Sequence, residues 1–291
     1  MKKAFDFSPE AVDRLAQADA ARALAEDVGS GDLTAGLIDP ARQARARVLA
    51  RQSAVVCGRA WVQAAMQQLD PQATLVWHVN DGERCEPNQV VFEVQGQAQA
   101  LLTAERTALN FLQLLSAVAS KTATYVAMVE GTQAKIVDTR KTLPGLRLAQ
   151  KYAVLTGGGT NHRVGLYDAV LIKENHIAAA GGIGPVLQRA AQVAAQADFV
   201  EIEVEDLHQL AEALDAGARM VLLDNMTLAD LKEAVRINRG RAILEISGGV
   251  TLSGLRALAE TGVDRISIGT LTKDVQAIDF SMRFDAPPGA L

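Results

Sequence analysis

Hydrophobic and polar positions follow two textures along the chain. Up to about residue 130 the pattern is mixed. Residues 8–26 set Val12, Leu15 and Leu24 at helical spacing with Pro9 near the first turn, which predicts a helix. The stretch EDVGSGDLTAGLI (26–38) is rich in turn residues and reads by composition as a connector. Residues 44–56 alternate loosely, as a half-buried strand does; 61–69 predict a short helix, and 74–79 and 89–94 predict strands with Asp81-Gly82 as a turn. Residues 98–130 repeat leucine and valine at helical spacing and predict one long helix, or two broken near 116–120. Arg106 and Asn110 lie one turn apart on it, which by pattern alone is a solvated face. Residues 1–115 are therefore expected to form an N-terminal α/β sandwich.

After Gly131 short apolar runs alternate regularly with helix-spaced segments. The strand-like runs are 135–138, 169–173, 199–204, 219–223, 242–246 and 264–268, with helix-like runs such as 207–216 and 228–238 between them. This alternation implies parallel strands joined by crossovers. The block is too short for eight units of roughly 30 residues each. An open α/β barrel of about six parallel strands over 116–275 is expected, with a doubly wound open sheet as the alternative. The tail, 276–291, reads as an extension that packs on the N-terminal domain.

Parallel α/β folds carry their sites at the C-terminal ends of the strands. Here those ends hold Asp138, Thr139, Arg140 and Lys141, then Lys173, Glu203 and Glu205, Asp224-Asn225, Ser247-Gly248-Gly249, and Ile268-Gly269-Thr270. On the run Val200 to Glu205, period-two alternation sends Val200, Ile202 and Val204 toward the helices and Glu201, Glu203 and Glu205 into the barrel. Carboxylates there need cations or a metal, with Lys173 and Arg140 as obvious partners. Glu201, the deeper, reads as structural; Glu203 and Asp224, nearer the rim, read as functional. The glycines of the last two strand ends either make tight turns or let backbone N–H groups reach a phosphate, helped by the helix that follows. Gly157-Gly158-Gly159 reads as a flexible turn that positions His162 and Arg163. His162 and His176 lack metal-ligand spacing, and His176 could cap a helix.

Composition narrows the ligand. The chain is 49% hydrophobic but only 4% aromatic, so its core is aliphatic. A net charge of −5 and a pI near 5.5 argue against a nucleic-acid surface. A basic cluster inside an acidic chain (Arg140, Lys141, Arg163, Lys173) suits a small ligand with several negative charges. Cys57 and Cys85 have no redox or metal spacing and fit a reducing cytoplasm. Met1-Lys2-Lys3 is not followed by an apolar run, and no apolar stretch reaches the roughly 18 residues of a membrane helix. A soluble cytoplasmic protein is expected, with no nucleic-acid or membrane partner.

DTRKTLPGLR (138–147), GGGTNHRVGLYDAVLIKENH (157–176), the strand around Glu203, LLDNM (222–226) and SGGV (247–250) occur in this order, preceded by EDVGSGDLTAGLI and by ERTALNFLQ from Glu105. Together these motifs closely resemble the quinolinate phosphoribosyltransferase family, the carboxylating nicotinate-nucleotide pyrophosphorylases. The resemblance covers nearly the whole chain. It implies an N-terminal α/β sandwich followed by an open α/β barrel, at least a homodimer, and a requirement for Mg2+. It implies a reaction of quinolinate with phosphoribosyl pyrophosphate that yields nicotinate mononucleotide, pyrophosphate and CO2. Carried over residue by residue, Arg140, His162, Arg163 and Lys173 would hold the quinolinate carboxylates, and Arg106 would reach in from the partner subunit. Lys141 would contact phosphoribosyl pyrophosphate, and Thr139 would be among the substrate-binding residues. Glu203 and Asp224 would bind ribose hydroxyls and the metal. Ser247, Gly248, Gly249, Ile268, Gly269 and Thr270 would hold the 5′-phosphate. Lys141, Lys173, Glu203 and Asp224 are the catalytic candidates. Rival readings are a class I aldolase using Lys173, a non-catalytic anion-binding protein, and a molybdenum-transport-linked pyrophosphorylase-like relative.

Overall fold

Serines that looked like helix breakers turn out to be fastenings. In the computed structural model, which describes residues 5–285, α3 (Ala98–Met128) runs unbroken for 31 residues. Ser116 Oγ accepts the Cys57 N–H at 3.0 Å and Ser120 Oγ accepts the Val55 N–H at 2.8 Å. Hydroxyls on one face of a helix can satisfy backbone groups of a neighbouring segment, and here they pin residues 54–57.

The chain divides into two compact units: a sheet unit (6–121, 144–158 and 274 onward) and a barrel unit (122–143 and 159–273). The sheet unit contains α1 (Pro9–Val28), β1 (Gln43–Ala50), β2 (Ala54–Val55), α2 (Arg59–Leu69), β3 (Thr74–Trp77), β4 (Arg84–Cys85), β5 (Val90–Gln97) and most of α3. Ser8 caps α1, its Oγ accepting the Ala11 N–H at 3.4 Å. Alternate residues of β1, Ala46, Val48 and Ala50, are buried, Ala46 opposite Val94 and Val48 opposite Phe92 of β5. Trp61 of α2 is fully buried, and its Nε1–H donates to Asp19 of α1 at 2.9 Å. The stretch 26–38 is more than a connector. Asp32 accepts the Thr34 and Ala35 N–H groups, and Thr103 of α3 donates to its other oxygen at 2.9 Å.

In the barrel unit the elements are β6 (Lys135–Val137), β7 (Val170–Ile172), α5 (Glu174–Ala180), α6 (Ile183–Ala191), β8 (Val200–Val204), α7 (Leu207–Asp215), β9 (Met220–Asp224), α8 (Leu228–Asn238), β10 (Ile243–Ser247), α9 (Leu255–Ala259), β11 (Arg265–Ser267) and α10 (Thr270–Lys273). α4 (Arg147–Thr156), which precedes β7 in the chain, belongs to the sheet unit. The six strands are parallel, in the order β6-β11-β10-β9-β8-β7. Chain order is thus kept around the sheet, with the first strand beside the last. A doubly wound sheet would reverse direction midway, so the order is that of an open barrel.

Two boundaries differ from the sequence reading. Residues 144–158 lie with the sheet unit because Tyr152 of α4 donates its hydroxyl to Asp81 at 2.9 Å and its ring lies 5.5 Å from that of Trp61. Residues 116–121 also lie with the sheet unit. At the other end β12 (Phe280–Phe284) pairs antiparallel with β1, giving a four-stranded sheet in the order β12-β1-β5-β3. Pro287-Pro288-Gly289 and Met1-Lys2-Lys3 lie outside the described residues.

Ser116→Ala leaves the buried Cys57 N–H without its acceptor and is expected to lower unfolding free energy by about 1–3 kcal/mol. Urea denaturation at unchanged m-value measures this, and an unshifted midpoint would show that the bond contributes nothing.

Candidate active site

The barrel opens along one seam, and that seam builds the site. Among the described residues no ladder joins β6 to β7; instead Val137 of β6 bridges to Thr160. The Thr160 N–H donates to Ile136 O at 2.8 Å, and the Asp138 N–H returns to Thr160 O at 3.1 Å. Asp138 is wholly buried, and its carboxylate accepts the His162 N–H at 2.8 Å and the Asn161 amide at 2.6 Å. A second buried carboxylate, Asp168, accepts the N–H groups of Val164 at 2.6 Å and Gly165 at 2.7 Å. Charge-assisted bonds of this kind are the stronger ones in a protein. They fix the backbone on both sides of Arg163.

Arg163 lines a cavity of about 350 Å³ with Thr139, Arg140, Lys141, His162, Lys173, Glu203, Glu245, Ser247 and Ser267. Burial, and after it the neighbouring Arg140 guanidinium, pulls Arg163 below the ordinary arginine value. Four cationic side chains thus converge on one space, two of them close enough to repel. Lys173 sits at the N-cap of α5, where its N–H donates to His176 Nδ1 at 3.0 Å, so His176 caps this helix. Lys173 Nζ lies 3.1 Å from Glu203 Oε2.

Beneath the cavity lies a buried array. Glu201 and Glu245 are fully buried, on β8 and β10. His162 Nε2 is 2.8 Å from Glu201 and 3.6 Å from Glu245, and Arg265 Nε is 2.7 Å from Glu245. Burial raises Glu201 to about 7 despite Arg265 and Arg163. It raises Glu245 to about 7 as well, with repulsion from Glu201 next, against the pull of His162 and Arg265. Near neutrality each of the two buried carboxylates is therefore partly protonated. The Arg163 N–H donates to His162 Nδ1 at 2.8 Å, which assigns the ring proton to Nε2, facing Glu201. His162, Glu201 and Glu245 are close enough to share a cation. A metal on Nε2 would have to displace that proton while Nδ1 stays engaged, so this donor set does not suit one.

Of the residues singled out from sequence, Thr139, Arg140, Lys141, His162, Arg163, Lys173, Glu203 and Ser247 share the cavity lining. Glu201 pairs with His162, not with the Lys173 or Arg140 expected from parity. Asp224 ends β9 in register with Ser247 and is half-buried. Gly248 and Gly249 take positive φ of 94° and 57°. A side chain at Gly269 would press on Lys141, whose backbone carbonyl accepts the Thr272 hydroxyl at 2.7 Å, and the Ile268 N–H donates to Val137 O at 2.8 Å. Thr270 opens α10. The helices following these glycines are only five and four residues long, so the expected helix-terminus contribution is small, and loop N–H groups and Lys141 remain. Arg106 is exposed on α3 in the sheet unit. Glu245 and Arg265 were not anticipated. A lone glutamate in the apolar run ILEIS, treated by the parity used for Glu201, would have found the first.

The N-terminal domain model of quinolinate phosphoribosyl transferase matches residues 32–116 and the C-terminal domain model matches 118–283. The chain is 41% identical over 271 residues to a carboxylating nicotinate-nucleotide pyrophosphorylase of Mycobacterium leprae, covering 90% of this chain and 94% of that protein. It is 39% identical over 284 residues to a decarboxylating quinolinate phosphoribosyltransferase of Nicotiana tabacum, covering 90% and 80%. The solved structure of nicotinate-nucleotide pyrophosphorylase from Francisella tularensis superposes with a TM-score of 0.92 at 40% identity over 98% of this chain and 100% of that one. The chain belongs to the quinolinate phosphoribosyltransferase family. It is accordingly a phosphoribosyltransferase, and the aldolase and molybdenum-linked readings find no support in these comparisons.

For this phosphoribosyltransferase the buried carboxylates give a testable stability profile. Glu201 has an ordinary value of 4.5 and a folded value of about 7, so between these the folded chain binds more protons than the unfolded one. Its contribution to stability therefore falls as pH rises from about 4.5 to about 7 and then levels off. Glu201→Gln keeps an acceptor for His162 Nε2–H. Its melting temperature is expected to decline less than the wild type's across that window; parallel curves would contradict the assignment.

Proposed function

We propose that this chain joins quinolinate to phosphoribosyl pyrophosphate, releasing pyrophosphate and CO2 and forming nicotinate mononucleotide. The observation that carries the reading is the convergence of Arg140, Lys141, Arg163 and Lys173 on one cavity. Quinolinate is a dianion and its co-substrate carries a pyrophosphate and a phosphate. Guanidinium forks suit carboxylates, and lysine suits phosphate. Arg140, Arg163 and Lys173 would take the carboxylates, with His162 forming part of the wall. Thr139 and Lys141 would face the pyrophosphate. The backbone of Ser247–Gly249 and 268–270 would receive the 5′-phosphate, and Glu203 and Asp224 the ribose hydroxyls.

Departure of pyrophosphate from C1′ leaves positive charge on the ribose, which Glu203 would stabilise. The quinolinate ring nitrogen then bonds to C1′. The cationic ring accepts the electron pair left as the adjacent carboxylate departs as CO2, and Lys173 Nζ supplies the proton to that carbon. Glu203 and Asp224 offer the oxygen donors that a hard divalent cation takes, so they would hold magnesium. Bound magnesium would neutralise charge on the leaving pyrophosphate.

A homodimer fits the exposure pattern. Arg106 is solvent-facing on α3, and Leu33, Leu37, Leu166 and Tyr167 are 93%, 83%, 73% and 70% exposed, a supply of apolar surface for a second copy, in which Arg106 would complete the neighbour's site. Among the described residues no helix is long and apolar enough to cross a membrane, which agrees with a cytoplasmic location.

Pyrophosphate release that depends on both substrates, with stoichiometric CO2, tests the reading; no turnover with quinolinate would overturn it. Arg163→Ala is expected to lower kcat/KM for quinolinate by about 10- to 100-fold, the effect of losing one or two charge-assisted bonds. Lys173→Ala should accumulate quinolinate mononucleotide, and normal nicotinate mononucleotide formation would remove the proton-donor role.

A further inference from the structure

Asp224 and the glycine loop after β10 are joined by a residue outside the roles given above. Asn225 follows β9 with φ of +53°, the left-handed region that asparagine tolerates better than other side chains. Three of its polar groups face Asp224, Ser247 and Gly248. The side-chain Nδ2 donates to Asp224 Oδ2 at 2.8 Å. The backbone N–H donates to Ser247 O at 3.1 Å, just beyond the point where Asp224 and Ser247 stand in register. The side-chain Oδ1 fills the space that a Cβ on Gly248 would need, and a Cβ there would also lie 3.1 Å from the Asn225 backbone nitrogen. Gly248 takes φ of +94°, so glycine is required there twice over, by its conformation and by the amide beside it.

We propose that Asn225 is a positioning residue that sets the Asp224 carboxylate and the Ser247–Gly249 loop as one unit, and so fixes the distance between the sugar-binding and phosphate-binding parts of the site. The inference rests on the phosphoribosyl pyrophosphate reading given above. The left-handed backbone turns the side chain back over the strand ends. A neutral amide can donate to a carboxylate while keeping its oxygen against the Gly248 Cα. Aspartate is the same size but has no donor and sets a second anion beside Asp224. Glycine keeps the backbone conformation and loses the amide. Asn225 acts on the phosphoribosyl half of the site: among the described residues its hydrogen bonds go to Asp224 and Ser247, and it is not part of the lining that holds the cations of the quinolinate cavity.

The test separates amide from backbone and one substrate from the other. In Asn225→Gly the KM for phosphoribosyl pyrophosphate is expected to rise about 10-fold or more, as for loss of a bond to a charged group. Its calorimetric Kd for quinolinate and its melting temperature should stay at the wild-type values. Asn225→Asp is expected to do no better than Asn225→Gly, because the donor and not the side-chain volume is what Asp224 uses. Gly248→Ala should impair the same KM, and Gly248→Ala with Asn225→Gly should lose less than the two effects combined, since removing the amide relieves the side-chain part of the clash and leaves only the backbone contact and the positive φ. A crystal structure of Asn225→Gly should show the Asp224 carboxylate rotated from its wild-type orientation. An unchanged phosphoribosyl pyrophosphate KM in Asn225→Gly, additive effects in the double variant, or an equal rise in quinolinate Kd would overturn the proposal. A wild-type protein inactive toward these substrates would instead overturn the reading on which it rests.

Discussion

Four cations facing one cavity repel one another, and the fold must hold them there before any ligand arrives. Arg163 shows the tension most directly, since burial and its neighbour Arg140 both act against its charge. The restraint comes from below. Asp138 and Asp168, both buried, grip the backbone on either side of Arg163, and the His162 ring accepts the Arg163 N–H itself. A site built this way has most of its organising interactions beneath the cavity floor. A dianion entering it relieves repulsion that folding has already overcome, which favours a ligand with two carboxylates over one with a single charge.

The seam of the barrel explains how these parts meet. A closed ring of strands would leave no room for a backbone segment between β6 and β7. Because Val137 bridges to Thr160, residues 160–163 enter where a strand partner would lie and carry His162 and Arg163 into the cavity. The buried array of Glu201, Glu245 and Arg265 then closes the floor, with Glu201 against His162 and Glu245 against Arg265. Hydrophobic strands alone would close the floor too. They would leave His162 Nε2 without an acceptor and its ring free to turn.

Much of this was legible in the chain. Apolar runs of four to six residues between helix-spaced segments were enough for six parallel strands. The rule that sites sit at strand ends gathered Arg140, Lys141, Lys173, Glu203 and Ser247 before any geometry was known. What was hidden depended on pairing between distant segments. Asp138 reads in sequence as part of a polar knot beside Arg140, and only its contact with residues 161 and 162 makes it a backbone clamp. The assignment of 144–158 to the sheet unit goes with Tyr152, whose hydroxyl reaches Asp81 and whose ring lies against Trp61, pairings for which spacing gives no sign. Ser116 and Ser120 look like interruptions in a helix and are its fastenings, because their hydroxyls' partners lie 59 and 65 residues away.

The central claim is that the cavity selects a pyridine with two carboxylates. Isothermal titration of the purified chain with quinolinate and, separately, with nicotinate, which has the same ring and one carboxylate fewer, tests it without any turnover. Quinolinate should bind at least about 10-fold more tightly, the difference expected for one charge-assisted pair, and should lose that advantage as salt is raised. Equal affinities for the two pyridines would mean that the converging arginines and lysines do not read the second carboxylate.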